Sequence, residues 1–161
     1  MNKTFNIQKY NSLFTRLFEY IGSYSNALII SYIGYSILYK DTTLHKISTS
    51  KTRDLAYFVW ILVFNLMVNI ILKNIIKEPR PSDKSRYGIG YEYGMPSGHS
   101  QFSTFLLLML ISIDAPTYIK YTSLILTIVT YTHRYVYKYH TPKQILGGVI
   151  VGGVLWKLLH I

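Results

Sequence analysis

The chain has 161 residues, half of them hydrophobic, with no cysteine and a formal net charge of +10. This length predicts one compact domain. The absence of cysteine excludes disulfide bonds and thiolate zinc sites, and it is compatible with any compartment. A basic chain of this size could bind nucleic acid, but such proteins carry their charge on a polar surface. Here the hydrophobic residues form long blocks separated by charged loops, which is typical of a membrane protein.

The first half of the chain predicts a surface helix followed by two membrane spans. Residues 1–19 mix apolar and basic side chains, which predicts an amphipathic segment lying on a membrane surface. Residues 20–161 form the predicted transmembrane domain. Its first span runs from about Tyr20 to Tyr39, close to the roughly 20 residues that a bilayer requires. The second runs from Leu55 to about Ile76, and we expect its asparagines to pair with neighbouring helices: Asn65, Asn69 and Asn74.

Three further spans complete a predicted all-α bundle of about five transmembrane helices. The third follows His99, the fourth runs from about Tyr118 to Tyr137, and the fifth begins after Pro142. Gly148 and Gly152 in the fifth span predict a close contact with another helix. The alternative is a soluble helical bundle, which requires polar helix faces that the second and third spans almost entirely lack.

Pro96-Ser97-Gly98-His99 stands where a glycine-rich polar stretch meets an apolar run. This position predicts a loop entering a helix, with Ser97 as the N-cap. The start of a helix exposes unpaired N–H groups and the positive end of the helix dipole, so it attracts anions. Gly98 would let a ligand approach the backbone, and His99 places an imidazole at the same mouth. Taken alone, a capped helix with a chance histidine is the commoner explanation of such a tetrapeptide.

A basic segment closes the second span. Lys73 and Arg80 are seven residues apart, so a helix would place them on one face. Pro79 and Pro81 favour an extended end that holds Arg80 at the mouth of the site. The alternative is the ordinary basic flank of a membrane helix, reaching towards lipid head groups.

A second basic segment joins the fourth and fifth spans and contains Arg134 and His140. Pro142 suits the first turn of a helix, so His140 should stand just before the helix start, near its anion-attracting end. The alternative is an interfacial belt, because tyrosines of this segment are typical head-group anchors. Alternate loops lie on the same side of a membrane, so this segment should face the loop 77–98.

These segments together supply three cations, a helix N-terminus with a hydroxyl group, and two histidines. The combination suits a phosphoryl group, because cations neutralise its oxygens, one imidazole attacks phosphorus and the other protonates the leaving oxygen. The sequence has no cluster of carboxylates to hold Mg²⁺ or Zn²⁺, so we expect neither a metal nor another cofactor.

The three segments resemble the signature of the type 2 phosphatidic acid phosphatase (PAP2) superfamily, which is K-x6-RP, PSGH and SR-x5-H-x3-D. The chain matches it in order and spacing with Lys73-x6-Arg80-Pro81, Pro96-Ser97-Gly98-His99 and Arg134-x5-His140. The resemblance implies a metal-free phosphohistidine mechanism, in which His140 is the nucleophile and His99 the general acid. It also implies a set of phosphate-binding residues: Lys73, Arg80, Ser97, Gly98 and Arg134.

The chain departs from that signature at two positions. His133 replaces the usual Ser before the arginine, and Gln144 replaces the usual Asp after the nucleophile. The segments Glu92–Gln101 and Tyr139–Gln144 resemble the dolichyldiphosphatase branch, which has EYGMPS-SHSQ and HT-x-x-Q. We therefore expect Gln144 to complete the catalytic set by holding the tautomer of the His140 ring, without a charge of its own.

The sequence thus predicts an integral membrane hydrolase that converts a polyprenyl (dolichyl) diphosphate to the monophosphate, in the endoplasmic reticulum or a related endomembrane. Its partners would be the lipid-linked phosphate and the bilayer, and not nucleic acid. One alternative is a phosphatase for phosphatidate or another glycerolipid phosphate. Another is a catalytically inactive lipid-binding membrane protein, for which the replacement at Gln144 is the only support.

Overall fold

The computed structural model describes residues 13–39, 51–82, 93–113 and 115–159. Within these ranges the chain forms five α-helices and no β-sheet. The helices are α1 (Leu13–Tyr39), α2 (Lys51–Ile76), α3 (Gly98–Ser112), α4 (Thr117–Val136) and α5 (Pro142–Leu159). The predicted all-α class is confirmed.

Helix α1 begins at Leu13 and continues without a break to Tyr39. The predicted division of the chain between residues 19 and 20 is therefore not a helix boundary. No proline lies within α1, so nothing in the sequence interrupts its hydrogen-bond ladder. The predicted surface segment is continuous with the first span as far as the structure describes it, and its residues 1–12 lie outside the described residues.

Among the described helices, α2 alone is long and apolar enough to cross a membrane, over Asp54–Ile76. Helix α3 has 15 residues, fewer than the roughly 20 that a bilayer requires. Helix α4 is long enough but carries hydroxyl and basic side chains at many positions. The predicted number of five transmembrane helices stays a prediction.

The second half of helix α2 buries polar side chains, and the helix exposes mostly apolar ones. Asn65, Asn69 and Lys73 are buried, and their spacing of four residues places them on one stripe of the helix. Most of the exposed side chains are large and apolar, among them Val59, Trp60, Val63, Leu66, Met67, Ile71 and Ile75. A helix in water shows the reverse arrangement, whereas a polar interior with an apolar exterior is expected where a helix faces lipid.

Two of the three asparagines on α2 pair with α3, as predicted. The Gln101 side chain donates to the Asn65 side-chain oxygen at 2.7 Å and accepts from the Asn69 amide at 2.8 Å. The prediction is wrong for Asn74, whose amide donates to the Ile70 carbonyl of its own helix. Asn74 lies nine residues after Asn65, which at 3.6 residues per turn is the opposite side of the helix.

Helix α3 lies at the centre of the bundle, where its buried apolar residues Phe105, Leu106 and Leu110 belong to the hydrophobic core. Its close contact with α5 depends on glycine. A Cβ atom added to Gly148 would stand 2.5 Å from the carbonyl oxygen of Ser97, and one added to Gly152 would meet the carbonyl of Gln101. The predicted glycine contact is confirmed, and it brings the starts of α3 and α5 together.

Candidate active site

The basic segment after α2 is extended rather than helical. Helix α2 ends at Ile76, and Lys77 has a φ of 52°, the left-handed conformation that often follows a helix. Lys73 lies on the last turn of α2 and is buried, whereas Arg80 lies four residues beyond the end of α2. The two cations do not share a helix face, because the helix stops between them. The extended end that Pro79 was expected to produce is present.

The predicted N-cap of α3 is confirmed. The Ser97 hydroxyl oxygen accepts a hydrogen bond from the main-chain N–H of Ser100, and Ser97 is fully buried. Gly98 is the first residue of the helix and packs against α2. A Cβ atom added to it would stand 3.0 Å from the side-chain oxygen of Asn69. The phosphate-binding residues predicted from this motif are thus held between α2 and α5.

Residues of helix α1 form hydrogen bonds that fix His99. The His99 ring is hydrogen-bonded to the backbone of Ser23. The His99 carbonyl accepts from the Asn26 amide at 3.2 Å and from the Ser103 hydroxyl at 2.8 Å. Because these bonds fix both the ring and the backbone of His99, α1 is part of the site although no motif lies on it.

Arg134 and His140 are joined by the turn that follows α4. The main-chain N–H groups of Tyr139 and His140 both donate to the Arg134 carbonyl, at 3.0 and 3.1 Å. The Arg134 side chain is buried, donates to the Gly22 carbonyl of α1 at 3.3 Å, and lies over the Tyr139 ring at 5.1 Å. This turn therefore ties the backbone of His140 to a residue whose guanidinium is fixed against α1.

Gln144 contacts His140 and caps α5 at the same time. Its side-chain oxygen lies 3.2 Å from Nδ1 of His140 and accepts from the Thr141 N–H at 3.2 Å. The Thr141 hydroxyl in turn accepts from the Gln144 N–H at 3.2 Å, which is the reciprocal capping-box arrangement. Gln144 therefore reaches back one turn to the His140 ring, as expected.

These contacts determine which nitrogen of the His140 ring carries the proton. The Gln144 oxygen is fixed by the Thr141 N–H, and its amide nitrogen donates to the Pro79 carbonyl at 2.8 Å. An acceptor therefore faces Nδ1 of His140, so Nδ1 bears the hydrogen in the neutral ring. The lone pair is left on Nε2, the nitrogen that can act as a nucleophile.

The predicted cations act together on His140. Burial and then the positive charges of Arg80 and Lys73 lower the pKa of the His140 imidazole to about 3. Arg134 acts in the same direction, and His99 lies within electrostatic reach of both Arg134 and His140. Because such interactions weaken with distance, the three motifs meet in one site.

Main-chain hydrogen bonds connect the motif segments directly. The Ser97 N–H donates to the Gln144 carbonyl at 3.0 Å, and the Gly94 N–H donates to the Glu78 carbonyl at 2.7 Å. The described parts of the two basic loops therefore meet at one end of the bundle, as their predicted common side requires, and residues 83–92 of the first loop lie outside the described residues. In the part of the chain that the structure describes, no three His, Asp or Glu side chains cluster to hold a metal ion.

Sequence reasoning missed Glu78. One of its carboxylate oxygens accepts from the Gln144 amide at 3.1 Å, and the other lies 2.9 Å from the Lys143 ammonium group. The residue stands beside Pro79 in the first basic motif, but no spacing rule connects it with a glutamine 66 residues later. The pairing depends on how the extended segment after α2 crosses the start of α5.

His133, the other departure from the family pattern, lies in an aromatic cluster. Its ring is fully buried, with centroids 5.7 Å from Phe18, 4.6 Å from Tyr137 and 5.7 Å from Tyr139. Within the described residues neither ring nitrogen has a hydrogen-bond partner. The position thus contributes packing between α1 and α4.

Comparison with known proteins gives a family match over most of the chain. The model of the PAP2 superfamily matches residues 54–161. Dolichyldiphosphatase 1 of Homo sapiens is 32% identical over 111 residues, which cover 58% of this chain and 46% of that protein. Dolichyldiphosphatase 1 of Rhinolophus ferrumequinum is 29% identical over 156 residues, which cover 86% of this chain and 60% of that protein. No solved structure matches.

A relative from Schizosaccharomyces pombe is a fusion protein. It is the palmitoyl-protein thioesterase-dolichyl pyrophosphate phosphatase fusion 1, 34% identical over 112 residues, which cover 60% of this chain and 17% of the fusion. The chain thus matches less than two thirds of the length of each of these relatives.

Proposed function

The chain belongs to the PAP2 superfamily, as its motifs predict, and we propose that it is a membrane phosphatase that converts a polyprenyl diphosphate, such as dolichyl diphosphate, to the monophosphate. The names of the similar proteins support this substrate class. The observation that carries the proposal is the state of His140. Its Nδ1 is held by Gln144, its Nε2 has a free lone pair, and cations surround it.

The proposed reaction has two displacements at phosphorus. In the first, Nε2 of His140 attacks the terminal phosphorus and the bond to the bridging oxygen breaks. The lipid monophosphate leaves and takes a proton from protonated His99. In the second, water attacks the phosphohistidine, the P–N bond breaks, and His99 accepts the proton from water. Inorganic phosphate leaves, and both histidines return to their starting state.

The remaining site residues stabilise charge on the transferred group. Lys73, Arg80 and Arg134 would neutralise the non-bridging oxygens, on which negative charge is concentrated in the transition state. The main-chain N–H groups at the start of α3, from Gly98 onwards, would donate to the same oxygens. The Gln144 oxygen would hold Nδ1–H of His140 throughout, including the stage at which the phosphorylated ring is cationic.

The polar interior and apolar exterior of α2 support a substrate that stays in the bilayer. The exposed apolar face would contact lipid, while the buried stripe that ends at Lys73 leads to the site. In this proposal the bundle crosses the membrane of the endoplasmic reticulum or a related compartment. The diphosphate enters the site, and the prenyl chain remains among the lipids.

The test is phosphate release by the purified protein from dolichyl diphosphate, phosphatidate and a soluble phosphomonoester, with the His140→Ala variant as the blank. We expect the diphosphate to be hydrolysed fastest and the variant to release none. Faster release from phosphatidate would overturn the substrate assignment in favour of a glycerolipid phosphatase. Binding of these lipids without any hydrolysis would overturn the enzymatic assignment.

A further inference from the structure

All hydrogen-bonding groups of the Gln144 side chain are engaged, and they connect His140 to a carboxylate. The oxygen accepts from the Thr141 N–H and contacts Nδ1 of His140. The amide nitrogen donates to the Pro79 carbonyl and to a carboxylate oxygen of Glu78 at 3.1 Å. Gln144 itself is completely buried, so water does not compete for these positions.

From this chain of contacts we infer that Glu78 is a positioning residue for the proposed reaction, acting on His140 through the amide of Gln144. The inference rests on the proposed function for its kinetic consequence. The geometry, in which the Glu78 carboxylate lies two hydrogen bonds away from Nδ1 of His140, is independent of the substrate.

The physical effect follows from polarisation. A carboxylate that accepts the N–H of an amide draws positive charge towards that group and leaves the amide oxygen more negative, so chains of such bonds strengthen one another. The oxygen of Gln144 then becomes a stronger acceptor for Nδ1–H of His140. The stronger bond fixes the ring more tightly and stabilises the cationic phosphorylated ring, so Glu78 provides part of the charge that a glutamine lacks.

Glu78 is in the charged state that this effect requires. Its hydrogen bond to Lys143 and the one from Gln144 lower the pKa of the carboxyl group, against the opposing effect of burial. Lys143 does not occupy the oxygen that faces Gln144, because it contacts the other one. Its side chain is 74% exposed, so solvent screens its opposing charge.

Other charges also act on the His140 ring and have to stay constant in a test. They come from the end of α2, the extended segment after it, the start of α3 and the end of α4: Lys73, Arg80, His99 and Arg134. The test therefore changes Glu78 without changing these groups.

The first experiment replaces the carboxylate by an amide of the same shape. Glu78→Gln keeps an acceptor oxygen for the Gln144 amide but removes the charge. We expect turnover on dolichyl diphosphate to fall about tenfold, at the lower end of what outer partners of a site residue contribute, with KM little changed. Glu19→Gln is the matched control, because Glu19 is exposed on α1 and outside the site. Equal turnover in Glu78→Gln and the parent would overturn the inference.

A double variant separates this effect of Glu78 on His140 through Gln144, here called the relay, from a merely structural role. In Gln144→Asp the introduced carboxylate lies against His140 and has no N–H to donate to Glu78, so two negative charges face each other. Adding Glu78→Gln to that background should raise turnover, whereas the same change lowers it in the parent. A reduction by the same factor in both backgrounds would show that Glu78 acts independently of Gln144 and would overturn the inference.

A third measurement needs no substrate and thus distinguishes failure of this inference from failure of the proposed function. With ¹⁵N-labelled histidine, the Nδ1–H proton of His140 gives an NMR signal whose position reports the strength of its hydrogen bond. We expect this signal to move upfield in Glu78→Gln and to stay in place in Glu19→Gln. An unmoved signal in Glu78→Gln would contradict the relay even if the parent hydrolyses dolichyl diphosphate.

Discussion

The main-chain N–H of Ser97 donates to the carbonyl oxygen of Gln144 at 3.0 Å. This bond joins the N-cap residue of α3 to the first turn of α5, and each of these positions lies close in sequence to one of the two histidines of the site. The two helices also pack closely here, because Gly148 faces the Ser97 carbonyl. Small changes in the packing of α3 against α5 should therefore affect the site directly.

Gly148→Ala should destabilise the protein and reduce activity together. The added methyl group would stand 2.5 Å from the Ser97 carbonyl oxygen, so the helices must separate. Overpacking of this kind costs about 1–3 kcal/mol. Gly153→Ala is the matched control on the same helix, because a Cβ atom there meets nothing within 4 Å. Thermal unfolding in detergent and turnover measure both effects. If both variants unfold at the same temperature, the glycine contact is not needed for stability.

Gln144→Ala should lower turnover by roughly 10- to 100-fold with little change in KM, as expected when an orienting partner of a site residue is lost. The same change removes one half of the capping box of α5, so a loss of stability of about 1 kcal/mol should accompany it. Gln144→Asp should keep substantial activity, because an acceptor for Nδ1 of His140 is restored. An Ala variant as fast as the parent would show that Gln144 does not orient His140.

Much of the site could be predicted from sequence because its determinants are local. Ser97 caps α3 because a hydroxyl residue stands between a polar loop and an apolar run, and α5 starts at Pro142 because proline fits a first helical turn. The spacing of Gly148 and Gly152 was also sufficient to predict a close helix contact. Each of these signals lies within a few residues of the feature that it produces.

The parts that could not be predicted depend on how distant segments cross. Glu78 meets Gln144 only because the chain after α2 is extended and passes the start of α5. The Gly22 carbonyl accepts from Arg134, and because every residue type has a main-chain carbonyl, this contact leaves no signature in the sequence. The number of membrane spans stays a prediction, because a helix that lines a polar interior carries too few apolar residues to be recognised as a span by its composition.

His99→Ala should slow hydrolysis of dolichyl diphosphate by roughly 10²–10⁴-fold, the usual contribution of a general acid. The effect should be smallest for a substrate whose leaving group departs without protonation, such as a nitrophenyl phosphate. The ratio of the two rates in parent and variant is the measurement. An equal loss with both substrates would assign His99 to binding or to the structure rather than to proton transfer.

His140 should be uncharged in the free protein at neutral and mildly acidic pH, because the pKa of its imidazole is lowered from 6.5 to about 3. The folded protein then binds fewer protons than the unfolded chain between these two values. Stability contributed by the neutral ring is complete above pH 6.5 and falls as the pH falls towards 3. NMR titration of ¹⁵N-labelled His140 in detergent measures the pKa. A midpoint near 6.5 would mean that the ring is open to water and distant from the cations.

The proposed function is tested most directly by trapping the phosphoenzyme. The purified protein is mixed in EDTA with dolichyl diphosphate labelled at the terminal phosphate, quenched in base, digested, and mapped by mass spectrometry. We predict that label is attached to His140, that it is absent from His140→Ala, and that EDTA leaves its amount unchanged. Label on another residue, or phosphate release that requires added Mg²⁺ and passes through no labelled protein, would contradict a metal-free mechanism with His140 as nucleophile.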